Sequence, residues 1–218
     1  MRGGGPDGPL IAVLDYGIGN LRSAEKALQH LGAPARLVTD PAVVDDADGV
    51  VLPGVGAFGR CAEALASSGL QKAAAAALER GLPFLGICVG LQLLYEGSDE
   101  SPGARGLGVL AGRVRPLPPG EKHPQMQWNR LVRAPGTDSP LLTGTPPDAW
   151  VYFVHSFAPE VGPETVATCD YGGPVTAAVE ADHIWGTQFH PEKSGPIGLG
   201  ILANFVERCG SRLAEPEV

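Results

Sequence analysis

Cys88 lies between two glycines in Gly86-Ile87-Cys88-Val89-Gly90, directly after the apolar run Leu82 to Ile87 and before a segment that reads as helix. A thiol attacks as its thiolate, and this spacing is one way to favour that form. Small neighbours permit a strained strand-to-helix turn, a nucleophile elbow, which lifts the side chain clear of the strand and sets it at a helix N-terminus. There the positive end of the helix dipole favours the thiolate, and the backbone N–H of Val89 can face an oxyanion as it develops. A buried structural cysteine at a strand-helix junction would have the same surroundings, so the elbow alone leaves both readings open.

Such a thiol needs a base. Of His30, His123, His155, His183 and His190, one has a useful neighbour: in TQFHPEK, Pro191 biases His190 toward extended backbone, so that His190 and Glu192 can project from the same side of the chain. Glu192 can then accept from one ring nitrogen and fix the tautomer that leaves the other free to take the thiol proton. His155, in VYFVHSF, reads as a hydrogen-bonded, partly buried strand residue. His30 and His183 read as surface or turn residues, and His123 lies in a proline-flanked stretch; none has an orienting partner. A third element is the glycine-rich loop Pro53 to Gly59, which follows a buried strand. At the carboxyl edge of a parallel sheet it can supply a second oxyanion donor, Val55 or Gly56, or serve as a plain strand-to-helix turn.

Other chemistries fit less well. Gly17-Ile18-Gly19 begins a dinucleotide fingerprint, but Arg22 occupies the position of its third glycine. There is no phosphate loop of the GxxxxGK[ST] kind, and the histidines and cysteines lack metal-ligand spacing, so no metal or other cofactor is expected. A net charge of −8 with no concentrated basic face argues against nucleic acid. No run reaches the roughly 18 apolar residues of a membrane span, and Met1 to Pro9 has no apolar signal core; no membrane association and a cytoplasmic location are expected. Cys61, Cys88, Cys169 and Cys209 have neither CxxC spacing nor the density of a disulfide scaffold, which predicts free thiols.

The elements that must position these residues alternate. At 218 residues and 44% hydrophobic, the chain can bury one sizeable core. Residues 1–9 read as a disordered tail and 10–218 as a single domain. Leu10 to Tyr16 reads as a buried strand, Leu21 to Leu31 as an amphipathic helix closed by Gly32, and ARLVT as the next strand. DGVVLPG, a helix over Arg60 to Arg80, and LPFLGI repeat the pattern, implying a parallel sheet covered on both faces. Beyond Gly97 the pattern changes to short strands, in GVLAGRVRPL, AWVYFVHSF, TVATCDY, PVTAAVE and IWGTQF, closed by a helix near Ile197 to Cys209.

With GICVGLQLL around the cysteine and GTQFHPEKSG around the histidine and glutamate, the sequence resembles the class I, or triad, glutamine amidotransferases. Within that class, DYGIGNLRS, LPGVGAFG, YFVHS and FHPEKSGPIGLGILANF are similar to the glutaminase subunits of imidazole glycerol phosphate synthases, from about Asp15 to Phe205. The resemblance implies a flavodoxin-like, three-layer α/β fold with a central, largely parallel sheet. It implies Cys88 as nucleophile, His190 as general base and acid, and Glu192 as orienter in hydrolysis of L-glutamine. It places Gly54, Val55, Gly56, Val89 and Gln92 around that substrate. It further implies a (β/α)8-barrel cyclase partner that uses the ammonia to form imidazole glycerol phosphate and an aminoimidazole carboxamide ribonucleotide in histidine biosynthesis, with Asn20, Trp128, Tyr152 and Lys193 near the partner. The sequence departs from the family's PHMGWN segment, reading Pro124-Gln125-Met126-Gln127-Trp128-Asn129, which puts the conformation of that expected loop in question. Two other functions share these features: a stand-alone cysteine hydrolase or peptidase, and a non-catalytic flavodoxin-like binding module with an inert Cys88.

Overall fold

Strand β1 (Ile11–Leu14) is followed by α1 (Leu21–His30), β2 (Ala35–Val38) and β3 (Gly49–Gly54), then α2 (Phe58–Ser67), α3 (Leu70–Glu79) and β4 (Phe84–Cys88). The computed structural model of the chain describes residues 8–212; residues 1–7 of the expected tail lie outside them. Every residue of β1, β3 and β4 is buried, as strands must be when helices cover both faces of a sheet. Gly32 follows α1 with φ +82, a left-handed turn that ends the helix where the sequence predicts. The single helix expected over 60–80 is instead α2 and α3, because Gly69 turns left-handed at φ +79 between them.

After Cys88 the apolar run makes one turn of helix, α4 (Val89–Gln92), and then enters β5 (Tyr95–Ser98). The carbonyls of Leu93 and Leu94, which a longer helix would use, are taken by the N–H groups of Leu107, Val109 and Leu110. The later strands are β6 (Leu110–Pro116), β7 (Gln125–Arg130), β8 (Val132–Arg133), β9 (Trp150–His155), β10 (Phe157–Pro159), β11 (Thr165–Asp170), β12 (Pro174–Ala181) and β13 (Ile184–Thr187), before the last helix α5 (Gly195–Arg212).

The main sheet has the order β2-β1-β3-β4-β13-β12-β11-β8. Its first five strands are mutually parallel, and antiparallel β12, β11 and β8 extend one edge. This is the flavodoxin-like arrangement with an antiparallel extension. The chain steps from β1 to one side for β2 and to the other for β4, so right-handed crossovers place α1 and the α2-α3 pair on opposite faces, giving three layers. Trp185 from β13 and Phe205 from α5 meet edge to face at 5.8 Å in the core. Cys209 is buried where an added Cβ on Gly49 would lie 2.3 Å from its sulfur, so this thiol is a packing group. Among the described residues all four cysteines are unbridged, and no helix is long and apolar enough to cross a membrane.

The smaller sheets sit beside this frame: β10-β6-β5, and the two-stranded ribbon β7-β9. The segment Gln125 to Asn129, expected as a loop, is strand β7, with Gln125 opposite His155 and Gln127 opposite Phe153. Gln125 is fully buried, its amide 3.7 Å from the Cys169 sulfur, and therefore cannot contact a partner from a loop.

Candidate active site

The ends of β3 and β4 and the chain leaving β13 meet at the carboxyl edge of the parallel strands, with Gly54 in register with Cys88. Ligands of open α/β sheets bind at this edge. Cys88 has φ +55 and ψ −112, a conformation that costs a residue with a side chain about 1–3 kcal/mol. The flanking glycines do not supply that turn; they make room for it. A Cβ on Gly90 would lie 1.7 Å from the carbonyl oxygen of Leu52, and one on Gly86 2.7 Å from the backbone nitrogen of Leu91. Gly90→Ala is therefore expected to push α4 off β3 and to destabilise the fold by about 3 kcal/mol, the upper end of ordinary overpacking, read as a lowered midpoint in urea unfolding. Because α4 is a single turn, its dipole is small, and the expected electrostatic support for a thiolate from a helix is correspondingly weak.

His190 has the extended backbone expected before Pro191, but residues Pro191–Lys193 form a 3₁₀ turn. The turn, not strand alternation, swings Glu192 back to the ring. Nδ1 of His190 lies 2.8 Å from Oε1 of Glu192, and both side chains are 2% exposed. Asn20 donates to the same carboxylate oxygen at 3.3 Å, and its own amide oxygen accepts from the Ser23 hydroxyl at 2.8 Å. Thus Asn20, expected near a partner, stands behind the carboxylate. The backbone of His190 is fixed to β9: its N–H donates to the Tyr152 carbonyl at 3.0 Å, and the Ser194 hydroxyl donates to the His190 carbonyl at 2.7 Å while accepting from the Tyr152 N–H.

The second ring nitrogen of His190, Nε2, is buried without a hydrogen-bond partner among the described residues. Burial opposes protonation of this ring, but Cys88 and the Glu192 carboxylate outweigh it and carry its pKa up to about 9. The protonated imidazolium is the state these neighbours favour for His190. His155, expected to be partly buried, is 6% exposed; its Nδ1 lies 2.9 Å from the Phe157 carbonyl, and burial lowers its pKa to about 4, so it is neutral. His30 and His123 are exposed, and a ring nitrogen of His183 meets the Leu78 carbonyl away from Cys88.

A cleft of about 140 Å³ opens over Cys88 and His190. Val55, Gly56, Val89 and Gln92 line it. Gly54 does not reach it: it is buried beneath the elbow, where a Cβ would lie 2.8 Å from the Gly90 nitrogen and 2.9 Å from the Tyr16 hydroxyl. Two side chains hold carbonyls of this loop, Tyr16 Oη donating to Pro53 at 2.6 Å and Cys61 Sγ to Val55 at 3.3 Å. Gln92 is buried, and its Nε2 donates to the Phe157 carbonyl at 2.9 Å and to Oε1 of Gln188 at 3.2 Å. That leaves its oxygen, not its amino group, for a ligand.

Sequence reasoning missed Glu100, Ser156 and Phe157, which also line the cleft. Glu100 is the one carboxylate in its lining among the described residues, and Oε2 accepts from the Phe58 N–H at 2.7 Å. The acidic run Asp99-Glu100 was visible, but only the unexpected β5 carries it back to the elbow. Among the described residues no group of three or more His, Cys, Asp or Glu side chains is arranged to hold a metal.

One side of the β7-β9 ribbon presents apolar groups: Met126 is 63% exposed, Trp128 45% and Trp150 51%. Trp128 and Tyr152 are cross-strand neighbours with ring centroids 6.1 Å apart, and Lys193 is exposed on the turn after His190.

The family model described as glutamine amidotransferase class-I matches residues 12–209. The chain is 50% identical, over 91% of its length and 98% of the relative's, to the imidazole glycerol phosphate synthase subunit HisH of Methanothermobacter thermautotrophicus. It is 48% identical to the same subunit of Deinococcus radiodurans, over 90% of this chain and 93% of that one. Among solved structures, a glutamine amidotransferase superposes with a TM-score of 0.73 at 20% identity, covering 92% of this chain and 98% of the other. PurLQS of Thermotoga maritima superposes with a TM-score of 0.70 at 22% identity, covering 95% and 100%. At these identities the structural likeness concerns the fold.

Proposed function

The chain belongs to the class-I glutamine amidotransferases and, within them, to the imidazole glycerol phosphate synthase HisH subunits, and from that premise we propose that Cys88, His190 and Glu192 hydrolyse L-glutamine to glutamate and ammonia. The observation that carries this reading is the buried His190-Glu192 pair at 2.8 Å, with the free Nε2 beside a cysteine on a strained elbow. Cys88 attacks the side-chain amide carbon; a C–S bond forms and the carbonyl electrons move to oxygen, where the amide of Val89 and one from Val55 or Gly56 receive them. Nε2–H of His190 protonates the nitrogen, the C–N bond breaks and ammonia leaves. His190 then takes a proton from water, the hydroxide attacks the thioester, and the C–S bond breaks to release glutamate and regenerate the thiolate. Glu192 keeps the ring in one tautomer and balances its charge throughout. The carboxylate of Glu100, in the lining of the cleft, suits the α-ammonium of glutamine.

Because the raised pKa keeps His190 protonated, the stability its charge contributes is fully present below the ordinary 6.5 and is lost as pH rises through about 9. The acid that releases ammonia disappears over the same range. The expected pH profile of kcat/KM falls about tenfold per unit above pH 9, in steady-state assays corrected for unfolding.

The chain is one glutaminase domain over residues 10–218 that works in the cytoplasm, docked on a (β/α)8-barrel cyclase that receives the ammonia for imidazole glycerol phosphate and aminoimidazole carboxamide ribonucleotide formation. Met126, Trp128, Tyr152 and Trp150 form the docking face, with Lys193 at its side. Trp128→Ala is expected to weaken the complex about 30-fold, the loss of one aromatic anchor, measured by titration calorimetry against the cyclase subunit. The function is tested by glutaminase assays of the chain alone and with the cyclase and its nucleotide ligand. Activity that rises with both present is the expected result; equal turnover without the partner, on peptides or esters, favours a stand-alone hydrolase.

A further inference from the structure

Gln188 is the residue just after β13 and two before His190, fully buried against the floor of the site. Its Nε2 lies 3.7 Å from the Cys88 sulfur, within the reach of an N–H···S hydrogen bond, and its Oε1 accepts from Nε2 of Gln92 at 3.2 Å. The orientation of an amide is set by its partners, and here they leave one choice. Gln92 donates to the Phe157 carbonyl as well, so its amino group must face Phe157 and Gln188. Gln188 must then present its carbonyl to Gln92 and its amino group to sulfur. A glutamine buried this completely needs its polar atoms satisfied, and a neutral thiol is a poor acceptor, whereas a thiolate is a good one.

We propose that Gln188 is a further catalytic residue, donating an N–H to the Cys88 thiolate and aligned for it by Gln92. Resting on the glutaminase reading above, this adds to His190 a second support for the sulfur anion. The one-turn helix α4 offers little dipole, so a side-chain donor supplies what the helix does not. The bond forms twice per cycle. It stabilises the resting thiolate before attack, and it accepts the charge again when the C–S bond of the thioester breaks and sulfur leaves. Gln92 couples the two sites, because a ligand that meets its free oxygen in the cleft also fixes the amide that aligns Gln188.

The test is the pH dependence of Cys88 alkylation by iodoacetamide, followed by mass spectrometry of the Cys88 peptide in the chain complexed with the cyclase subunit. Gln188→Met keeps the length and removes the donor; Gln188→Glu keeps the acceptor for Gln92 and sets a negative charge against sulfur. The midpoint of the alkylation curve is expected to rise by about one pH unit in the first, a tenfold loss of thiolate, and by more in the second. Binding of both variants to the cyclase subunit, measured by titration calorimetry, is expected to be unchanged, which shows that they fold and dock. A midpoint unmoved in both variants overturns the role of Gln188. Absence of alkylation at Cys88 in the unaltered chain overturns instead the nucleophile reading on which it rests.

Discussion

Cys88→Ala is expected to lower glutamine-dependent ammonia release by about 10⁴-fold or more while leaving ammonia-dependent synthesis by the complex with the cyclase intact. The split follows from where the residue sits. Cys88 ends β4 on a buried frame, and an alanine there removes sulfur without adding bulk, so fold and docking face persist. No other thiol can take over. Cys209 packs on Gly49, Cys169 lies against Gln125 with its pKa raised by burial to about 11, and Cys61 points at the Val55 carbonyl. Without a covalent step, water would have to attack an amide directly, and the remaining oxyanion donors do little for that reaction. Coupled assays with glutamine and with ammonium salts as nitrogen source read both halves of the expectation.

Glu192→Gln is expected to cost about 10⁴-fold in kcat with a small change in KM, comparable to the loss when a triad's orienting carboxylate becomes an amide. The side chain is buried, so no water replaces the lost charge, and an amide turned the wrong way would offer an N–H to the N–H of His190. Asn20 sharpens the effect: it donates to the same oxygen, and Ser23 fixes which way it faces. With the carboxylate gone, part of what holds the His190 pKa near 9 is gone too, so the alkaline limb of the pH profile is expected to move down. A merely structural role for Glu192 would lower stability and leave that limb in place.

The local signals of the sequence reached the parallel half of the fold and the contact of His190 with Glu192, and failed where a long-range contact decides the outcome. Apolar runs bounded by glycine located β1, β3 and β4, because strands buried on both faces carry an uninterrupted signature. The helix over 60–80 broke at Gly69, whose left-handed turn one glycine in an alanine-rich run does not announce. GLQLLYE has the periodicity of a helix but yields after one turn to strand pairing with residues more than a dozen positions away. His190 and Glu192 were found for a partly different reason, a 3₁₀ turn in place of extended alternation. Gln92 and Gln188 could not be linked from sequence: they stand 96 residues apart, and each alone reads as an ordinary polar residue. Gln125 looked like a loop substitution because its strand partner, His155, lies across the 19-residue connection between β7 and β9, whose pairing has no local signal.

The most direct measurement is acid quenching of the complex during turnover of glutamine, followed by peptide mass spectrometry of the trapped covalent species. A γ-glutamyl adduct on the peptide carrying Cys88, absent in Cys88→Ala, is the predicted result. An adduct on Cys61, Cys169 or Cys209, or full glutaminase turnover in Cys88→Ala, would contradict the account.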